Sequence, residues 1–436
     1  MFGYYLKLAL HSLKRNPVLT AVMVLAIALG IGASMTMLTV LHNLSGNPLP
    51  QKSAVLFHPQ VDPRPTDLPG ADPQPPDDLT FIDARNLYSM AGNYLRVLTS
   101  ANWLPTRTTQ PESQTTMITD RGTTSDFFSM FDVPFIYGSG WSKQDDQKHA
   151  QVVVLSRALN DKLFGGADSV GKELIIATNV FRVIGVIGDW NPQPRFYDLD
   201  QGSYGPAEQM YLPFFTWLYL PQDYGYGPMD CWGDNPSAGL HDPTVPQCAW
   251  AQFWVQLNTQ TQVSSYRSML RNYSAEQRKL GRFQRAPNIR LRSLMEWLDY
   301  KQVIPVMVRM QTWISLGVFV ICMLNTVGLM LAKFMRKTGD IGIRRALGAT
   351  RWAVFSQCLV EAGVIGLAGG LCGLPLTWLG LWIIRRQPVN YAASTHLDFP
   401  MLLMVLLVAI LATLLAGILP SWWATRVSPA LQVKAI

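Results

Sequence analysis

Histidine is scarce in this chain, with six in 436 residues, and the six are scattered without metal-ligand spacing or an HExxH pair. No serine sits in a GxSxG elbow, and no cysteine–histidine pairing points to a nucleophile. A working phosphate loop is also missing. Gly166-Ala-Asp-Ser-Val-Gly171-Lys172-Glu173 approaches one, but Glu173 stands where a magnesium-holding hydroxyl residue belongs. The segment also follows a helical pattern rather than a strand, so the expected structure is a turn leading into a strand. The carboxylate pairs Asp77–Asp78 and Asp145–Asp146 are adjacent in loop-like stretches and are expected to be solvated. The residues therefore offer no catalytic, cofactor-binding or metal site, and a membrane enzyme is the least supported function class.

Acidic residues are nearly absent outside the middle of the chain. Of 29 acids, only Asp340, Glu361 and Asp398 lie beyond residues 44–309, alongside 13 of the 36 basic residues. The net charge of +7 thus belongs to the flanks of the apolar segments, which points to a membrane surface and its lipid rather than to nucleic acid. Cysteine is sparse and divided in the same way. Cys322, Cys358 and Cys372 lie in apolar runs, where a small buried thiol is the default. Cys231 and Cys248 lie in the polar region. In an oxidising compartment a disulfide between them is favoured over two free thiols, closing a loop rich in Gly, Pro and Trp.

Long apolar runs are present, and they organise the rest. Residues 1–16 read as an amphipathic helix on the cytoplasmic membrane face, with Phe2, Tyr5, Leu6, Ala9, Leu10 and Leu13 at helical spacing. Residues 17–43 are uncharged and too long for a signal-peptide core, so they read as a first transmembrane helix. Ala26, Gly30 and Ser34 in it are spaced for close helix packing. Residues 44–305 hold no spanning segment. Pro48 to Asp78 is dense in Pro and Asp and is expected to be loop-like. Strand patterns follow at Gln151–Leu155, Phe181–Ile187 and Trp250–Leu257, with helical patterns at Ser156–Phe164 and Ser264–Leu280. This is an α+β domain with room for two subdomains, in which residues 190–250 resemble an insertion. A helical pattern from Ser293 through Trp297 and Tyr300 is expected to run as a stalk (293–305), kinked at Pro305, into a second span at 306–332. A basic loop at 333–351, spans at 352–384 and 400–422, and a tail at 423–436 complete the chain.

The fold class expected is a membrane protein of four transmembrane α-helices, with a large α+β extracytoplasmic domain between the first and second. Residues 1–15 carry three basic residues and no acid, and 333–351 carry six basic residues and one acid. The positive-inside rule therefore places both termini and the 333–351 loop in the cytoplasm and the large domain outside, with Arg385 and Arg386 a minority on the outer side.

The basic loop is more than a topology signal. Asp340, Ile341, Gly342, Ile343, Arg344, Arg345, Ala346 and Leu347 form about two helical turns closed by Gly348. The acid lies in the first turn and the arginines in the last, as the helix dipole prefers, and Asp340 and Arg344 are spaced to pair. A loop that only fixes orientation has no need of Ile341, Ile343 and Leu347, which suit contact with a partner. In the third span, Glu361 is an ionisable residue at membrane depth, consistent with either a functional role or a structural contact near the basic loop. Gly366, Gly369, Gly370 and Gly373 give the same helix a small-residue face, suited to packing within the chain or across a dimer.

Asp340-Ile-Gly-Ile-Arg-Arg-Ala-Leu-Gly-Ala-Thr350 closely resembles the signature of the MacB/FtsX-like ABC-transporter permeases, the mechanotransmission (type VII) class. Similar motifs follow the family's order along the chain. They are Thr124-Ser-Asp-Phe-Phe-Ser-Met-Phe-Asp-Val-Pro134, Val152-Val-Val-Leu-Ser-Arg-Ala-Leu159, Leu163-Phe-Gly-Gly166, Val170-Gly-Lys172, Phe181-Arg-Val-Ile-Gly-Val186 and Leu419-Pro-Ser-Trp-Trp-Ala-Thr-Arg426 with Ser428-Pro-Ala430. Asp340 stands where the family usually has Glu, Thr338 and Gly339 replace a more polar approach, and 190–250 departs from the pattern.

The resemblance implies that residues 340–348 are a coupling helix on which a cytoplasmic ABC ATP-binding subunit docks. It implies that 124–186 belong to an external core and that 293–309 with the end of the first span form a stalk. The ATPase, which uses ATP and Mg2+, is expected to be a separate chain because no Walker motif is present here. Further implied partners are a second permease, as homo- or heterodimer, and a periplasmic adaptor with an outer-membrane channel. The expected setting is the bacterial inner membrane, with the large domain in the periplasm. Export is the leading function; regulation of a periplasmic hydrolase and lipoprotein extraction use the same architecture.

Overall fold

The protein is described by a computed structural model covering residues 3, 8, 16–66, 72–110, 112–220, 227–232, 242, 244–387, 391 and 399–426. The amphipathic helix expected over 1–16 and the tail beyond Arg426 fall outside these residues almost entirely. The chain divides into two compact units, Met1–Gly46 with Ile304–Ile436, and Asn47–Val303. Helix α1, Pro17–Leu44, opens the first unit with proline at its first position, where the missing N–H costs nothing.

The second unit is built on a mixed sheet. Its strands are β1 (Leu56–Val61), β2 (Leu79–Thr80), β3 (Arg96–Thr108), β4 (Thr116–Thr123), β5 (Phe135–Gly138) and β6 (Val152–Ser156). They continue as β7 (Glu173–Ile176), β8 (Asn179–Ile187), β9 (Met210–Pro213), β10 (Asp230–Cys231), β11 (Cys248–Gln256) and β12 (Ile289–Ser293). The order across the sheet is β12-β1-β11-β3-β4-β9-β6-β8-β5, with β2 and β10 beside β11 and β7 bridging β3 and β8. Most neighbours are antiparallel, but β4–β9 and β6–β8 are parallel. Helices α2 (Phe81–Ser89), α3 (Arg157–Phe164), α4 (Gln260–Lys279) and α5 (Leu294–Tyr300) pack around it. Each starts on a Ser or Thr whose hydroxyl accepts an N–H three residues on: Thr80, Ser156, Thr259 and Ser293.

β11 is buried from Cys248 to Val255, which explains why its sequence reads as nearly continuous apolar rather than alternating. Phe81, Phe214 and Trp250 stack above it, with ring centroids 6.1 Å apart on either side of Trp250. Beside this core runs a buried polar network. Arg121 binds Asp198, Glu208 at 2.8 Å, Thr99 Oγ1 and Gln252, and Arg195 binds Glu208. Arg121 also lies over the ring of Tyr197 at 4.7 Å. A buried cation is tolerated only when it is paired on this scale.

Several expectations are corrected here. The stretch expected to be loop-like before Asp78 contains β1, six buried residues; His58 is enclosed by Trp254 and Trp297, which overrides the effect of its neighbouring prolines. Residues 190–250 are not simply an insertion. β9 is an interior strand between β4 and β6, and Phe196, Tyr197 and Trp217 are fully buried. Residues 221–226, 233–241 and 243 of that stretch fall outside the described set. The domain is one compact unit rather than two. Asp146 is buried, not solvated, and accepts from Ser125 N–H and Trp141 Nε1 at 2.8 Å each, while Asp145 caps a short helix. The stalk helix does not continue through Pro305. α5 ends at Tyr300, and α6 (Val306–Arg336) starts afresh after Pro305, which lies at the N-cap instead of inside a helix.

After α6 come α7 (Thr338–Ala346), α8 (Arg351–Arg385) and α9 (Phe399–Arg426). α1, α6, α8 and α9 are each long and apolar enough to cross a bilayer. The glycine face of α8 is consumed within the chain. A Cβ on Gly369 would lie 2.8 Å from Ile27 Cβ, one on Gly373 3.1 Å from Ile31 Cγ2 and one on Gly370 2.8 Å from Ala409 Cβ, and Gly366 abuts Thr413. On α1, Gly30 abuts Cys322 of α6 in the same way, and Ser34 Oγ reaches Ser315 O at 3.0 Å.

Candidate functional site

The stretch between the second and third spans is built as a short helix clamped at both ends. α6 ends at Arg336, Lys337 forms the corner, and α7 begins at Thr338, two residues earlier than the sequence pattern implies. Leu347 caps α7, and Gly348 follows with φ of +98°, a conformation that favours glycine. Gly348 N–H bonds Arg345 O at 3.1 Å and Ala349 N–H bonds Arg344 O at 3.0 Å, which completes the turn. Thr350 then starts α8, its hydroxyl accepting Ala353 N–H at 3.2 Å.

The side chains of α7 divide between anchoring and display. Ile341 packs against the apolar core of the bundle, beside residues such as Phe334, Val354 and Cys358. Arg344 donates to Gln357 Oε1 at 3.0 Å and Arg345 to Thr425 O at 3.2 Å, so each arginine is tied to a neighbouring helix. Ile343 is 49% exposed, Leu347 83% and, just beyond, Trp352 76%. Gly342 contributes no side chain to either face. The expected Asp340–Arg344 pair falls on a side chain outside the described set, as does Ala346.

Glu361 sits ten residues into α8, 2% exposed. Lys333 Nζ lies 2.7 Å from its Oε1, and Lys337 Nζ lies 3.1 Å from both carboxylate oxygens. Lys333 from the last turn of α6 and Lys337 from the corner therefore converge on one acid of α8, next to the start of α7. Of the two roles open to Glu361, the geometry supplies the structural contact. In the other unit, Cys231 and Cys248 are paired across β10 and β11 in register and form a disulfide. Near-matching Gly166–Glu173 is a turn: Gly166 has φ of +82°, Gly171 has φ of +88°, and Glu173 opens β7. Among the described residues no group of three or more His, Cys, Asp or Glu is placed to hold a metal ion.

Residues 20–273 match the family description of a MacB-like periplasmic core domain, and residues 313–429 match the FtsX-like permease C-terminal region. The chain belongs to the MacB/FtsX-like ABC-transporter permease family. The permease is 24% identical over 311 residues to the uncharacterized ABC transporter permease YvrN of Bacillus subtilis, covering 71% of this chain and 68% of that one. It is 23% identical over 301 residues to the macrolide export ATP-binding/permease protein MacB of Marinobacter nauticus, covering 68% of this chain and 40% of that one. The pyoverdine export ATP-binding/permease protein PvdT of Pseudomonas aeruginosa is 25% identical over 277 residues, 63% of this chain and 36% of its own. The permease thus spans about two fifths of the length of these two ATP-binding/permease proteins. The crystal structure of the periplasmic region of MacB from Actinobacillus actinomycetemcomitans aligns at 17% identity and a TM-score of 0.36, over 61% of this chain and 97% of that one.

The permease is accordingly a multi-pass membrane protein with a periplasmic-type domain between its first and second spans. Lys333, Lys337 and Trp352 are site residues that the sequence reading missed. The signal for the lysines was present: a lone acid inside a span needs a cation at its own depth, and Lys333 and Lys337 are one turn apart at the end of the adjoining span. Trp352 was read as the first residue of an apolar run, and nothing in its spacing marks it as exposed.

Proposed function

We propose that this permease is the membrane subunit of an ATP-driven mechanotransmission system, and that a separate ABC ATP-binding subunit docks on α7. Ile343, Leu347 and Trp352 form the apolar contact. Arg344 and Arg345, fixed by Gln357 and Thr425, hold the helix so that force on it passes into α8 and α9. The lysine–glutamate cluster at the corner ties α8 to α6, the span that leads back to the extracytoplasmic domain. The single observation that carries this reading is the two-sided build of α7, with Ile341 half-buried against the core of the bundle and Leu347 83% exposed. A surface loop gains nothing from an exposed leucine, whereas a docking helix requires one.

ATP and Mg2+ act on the partner subunit, and two permease subunits work as a dimer in the bacterial inner membrane with the large domain in the periplasm. Export from the periplasm through an adaptor and outer-membrane channel is the function favoured, in keeping with relatives named for macrolide and pyoverdine export. The test is copurification of the ATP-binding subunit with Ile343→Asp/Leu347→Asp permease. Both side chains already face outward, so the variant is expected to insert and fold while losing the ATPase. Undiminished copurification overturns the docking assignment.

A further inference from the structure

β12 is the outermost strand of the sheet, paired on one side with β1. The backbone parity of β1 fixes which groups of β12 remain for the other side. Leu257 N–H donates to Val55 O at 2.8 Å, so Val55 directs its backbone towards β11, and Phe57 and Pro59 follow at two-residue steps. Pro59, which has no N–H, is thereby spared a bond it cannot make. His58 and Gln60 face β12 and pair with Arg292 and Arg290. The N–H and C=O of Ile289 and Leu291 consequently point away from β1; Ile289 O accepts Arg290 Nη1 at 2.8 Å, which leaves Ile289 N–H and both groups of Leu291 without a strand partner among the described residues.

That edge opens on a cleft of about 780 Å3. Its floor is Ile289, Arg290, Leu291 and Arg292, residues from both faces of the strand, as expected of a groove that runs along an edge. Arg267 and Arg271, four apart on α4, form one wall, and Glu296 and Asp299 of α5 contribute to the other. Arg290 and Arg292 are engaged by Gln74, Gln60 and Asn288. Arg267 and Arg271 are exposed and have no ion-pair partner among the described residues.

We propose that this edge receives an extended acidic segment of a partner protein, which adds to the sheet as a further strand beside β12 while its carboxylates meet Arg267 and Arg271. Ile289 N–H and the N–H and C=O of Leu291 supply affinity without regard to sequence, and the arginine wall selects the charge. Four arginines against two carboxylates make the cleft a poor place for a basic strand. They also disfavour a second copy of β12, because antiparallel self-pairing about Leu291 sets Arg290 directly opposite Arg292. The inference concerns only the α+β unit and stands whether or not an ATPase docks on α7.

The test uses the full-length protein in lipid nanodiscs and a fluorescent octapeptide of alternating Glu and Val, followed by anisotropy and by amide hydrogen exchange. A Lys–Val octapeptide and a Glu–Val peptide N-methylated at alternate residues serve as controls. The expected result is saturable binding of the Glu–Val peptide alone, with slowed exchange confined to 289–293. Arg267→Glu/Arg271→Glu is expected to weaken that binding about tenfold or more while leaving exchange of the unliganded protein unchanged. Absence of binding overturns the proposal. So does binding without protection of 289–293, equal binding of the N-methylated peptide, or displacement by millimolar inorganic phosphate, each of which reduces the cleft to a simple anion site.

Discussion

Lys333 Nζ lies 2.7 Å from Glu361 Oε1, and both side chains are shut off from solvent. Removing Glu361 leaves Lys333 buried without its countercharge, a loss of about 3–5 kcal/mol, whereas Glu361 without Lys333 still has Lys337. Glu361→Ala is therefore expected to lower the thermal stability of the purified protein sharply, with Glu361→Gln intermediate. Lys333→Met combined with Glu361→Met is expected to recover most of the loss, because the pair leaves together. Simple additivity of the two single substitutions in a double-mutant cycle contradicts the coupling.

The contact between α8 and α1 has no room for side chains on α8. Gly369→Leu drives its side chain into Ile27 and is expected to cost about 1–3 kcal/mol, as overpacking does. Ile27→Ala opens that space, so the combination is expected to be more stable than Gly369→Leu alone. Thermal unfolding followed by tryptophan fluorescence reads both.

The Cys231–Cys248 disulfide closes a loop of 17 residues' separation. On the chain-entropy estimate such a loop stabilises by about 3 kcal/mol. Cys231→Ser/Cys248→Ser is expected to melt earlier than the parent and to be indifferent to reductant, while the parent falls to the same value when reduced. A parent that is insensitive to reductant removes the disulfide from the stability of the domain.

Asp120 is fully buried, and that burial pushes its carboxyl up to about 8, against the pull of the Trp217 indole that donates to it and with Glu208 adding to the rise. Between about pH 4 and 8 the folded protein holds a proton there that the unfolded chain has released. Unfolding then gives up a proton, and stability falls as pH rises, by at most about 1.4 kcal/mol per pH unit from this group. The buried Asp146 carboxyl, raised to about 6, has finished titrating by neutral pH, and His58, lowered to about 4, acts only on the acid side. Asp120→Asn keeps an oxygen for Trp217 and removes the proton. It is expected to flatten the decline between about pH 6.5 and 8 and to raise the melting temperature at the upper end. An unchanged slope contradicts the assignment to Asp120.

The four spans were legible because twenty or more apolar residues in a row have few other fates, and the helix ends fall within a few residues of where charge resumes. The strands around Val153, Val183 and Phe253 were legible for a related reason, since β-branched and aromatic runs bounded by turn residues suit a buried sheet. β1 was not, because Pro59 and the prolines after it mimic a loop. Only the tertiary arrangement shows that Pro59 occupies a position where no N–H is wanted. Tyr197 and Trp217 were hidden for the opposite reason: a stretch rich in Gly, Pro and aromatics looks like surface elaboration until its rings are found beneath the sheet. At the candidate site, α7 and Glu361 were visible from residue type and spacing. The convergence of Lys333 and Lys337 on Glu361 required knowing which helices are neighbours.

β1 follows the first span directly and β12 precedes the second, yet the two are partners in the sheet. Phe57 pairs with Ser293 across an intervening chain of about 230 residues, a separation that makes this one of the last contacts to form. β11 precedes β12 in the chain and already pairs with β1, so until residues 289–293 arrive β1 holds one partner and its other edge is unmade. Completion of the sheet around β1 consequently waits on residues 289–293, the last strand of the unit in sequence.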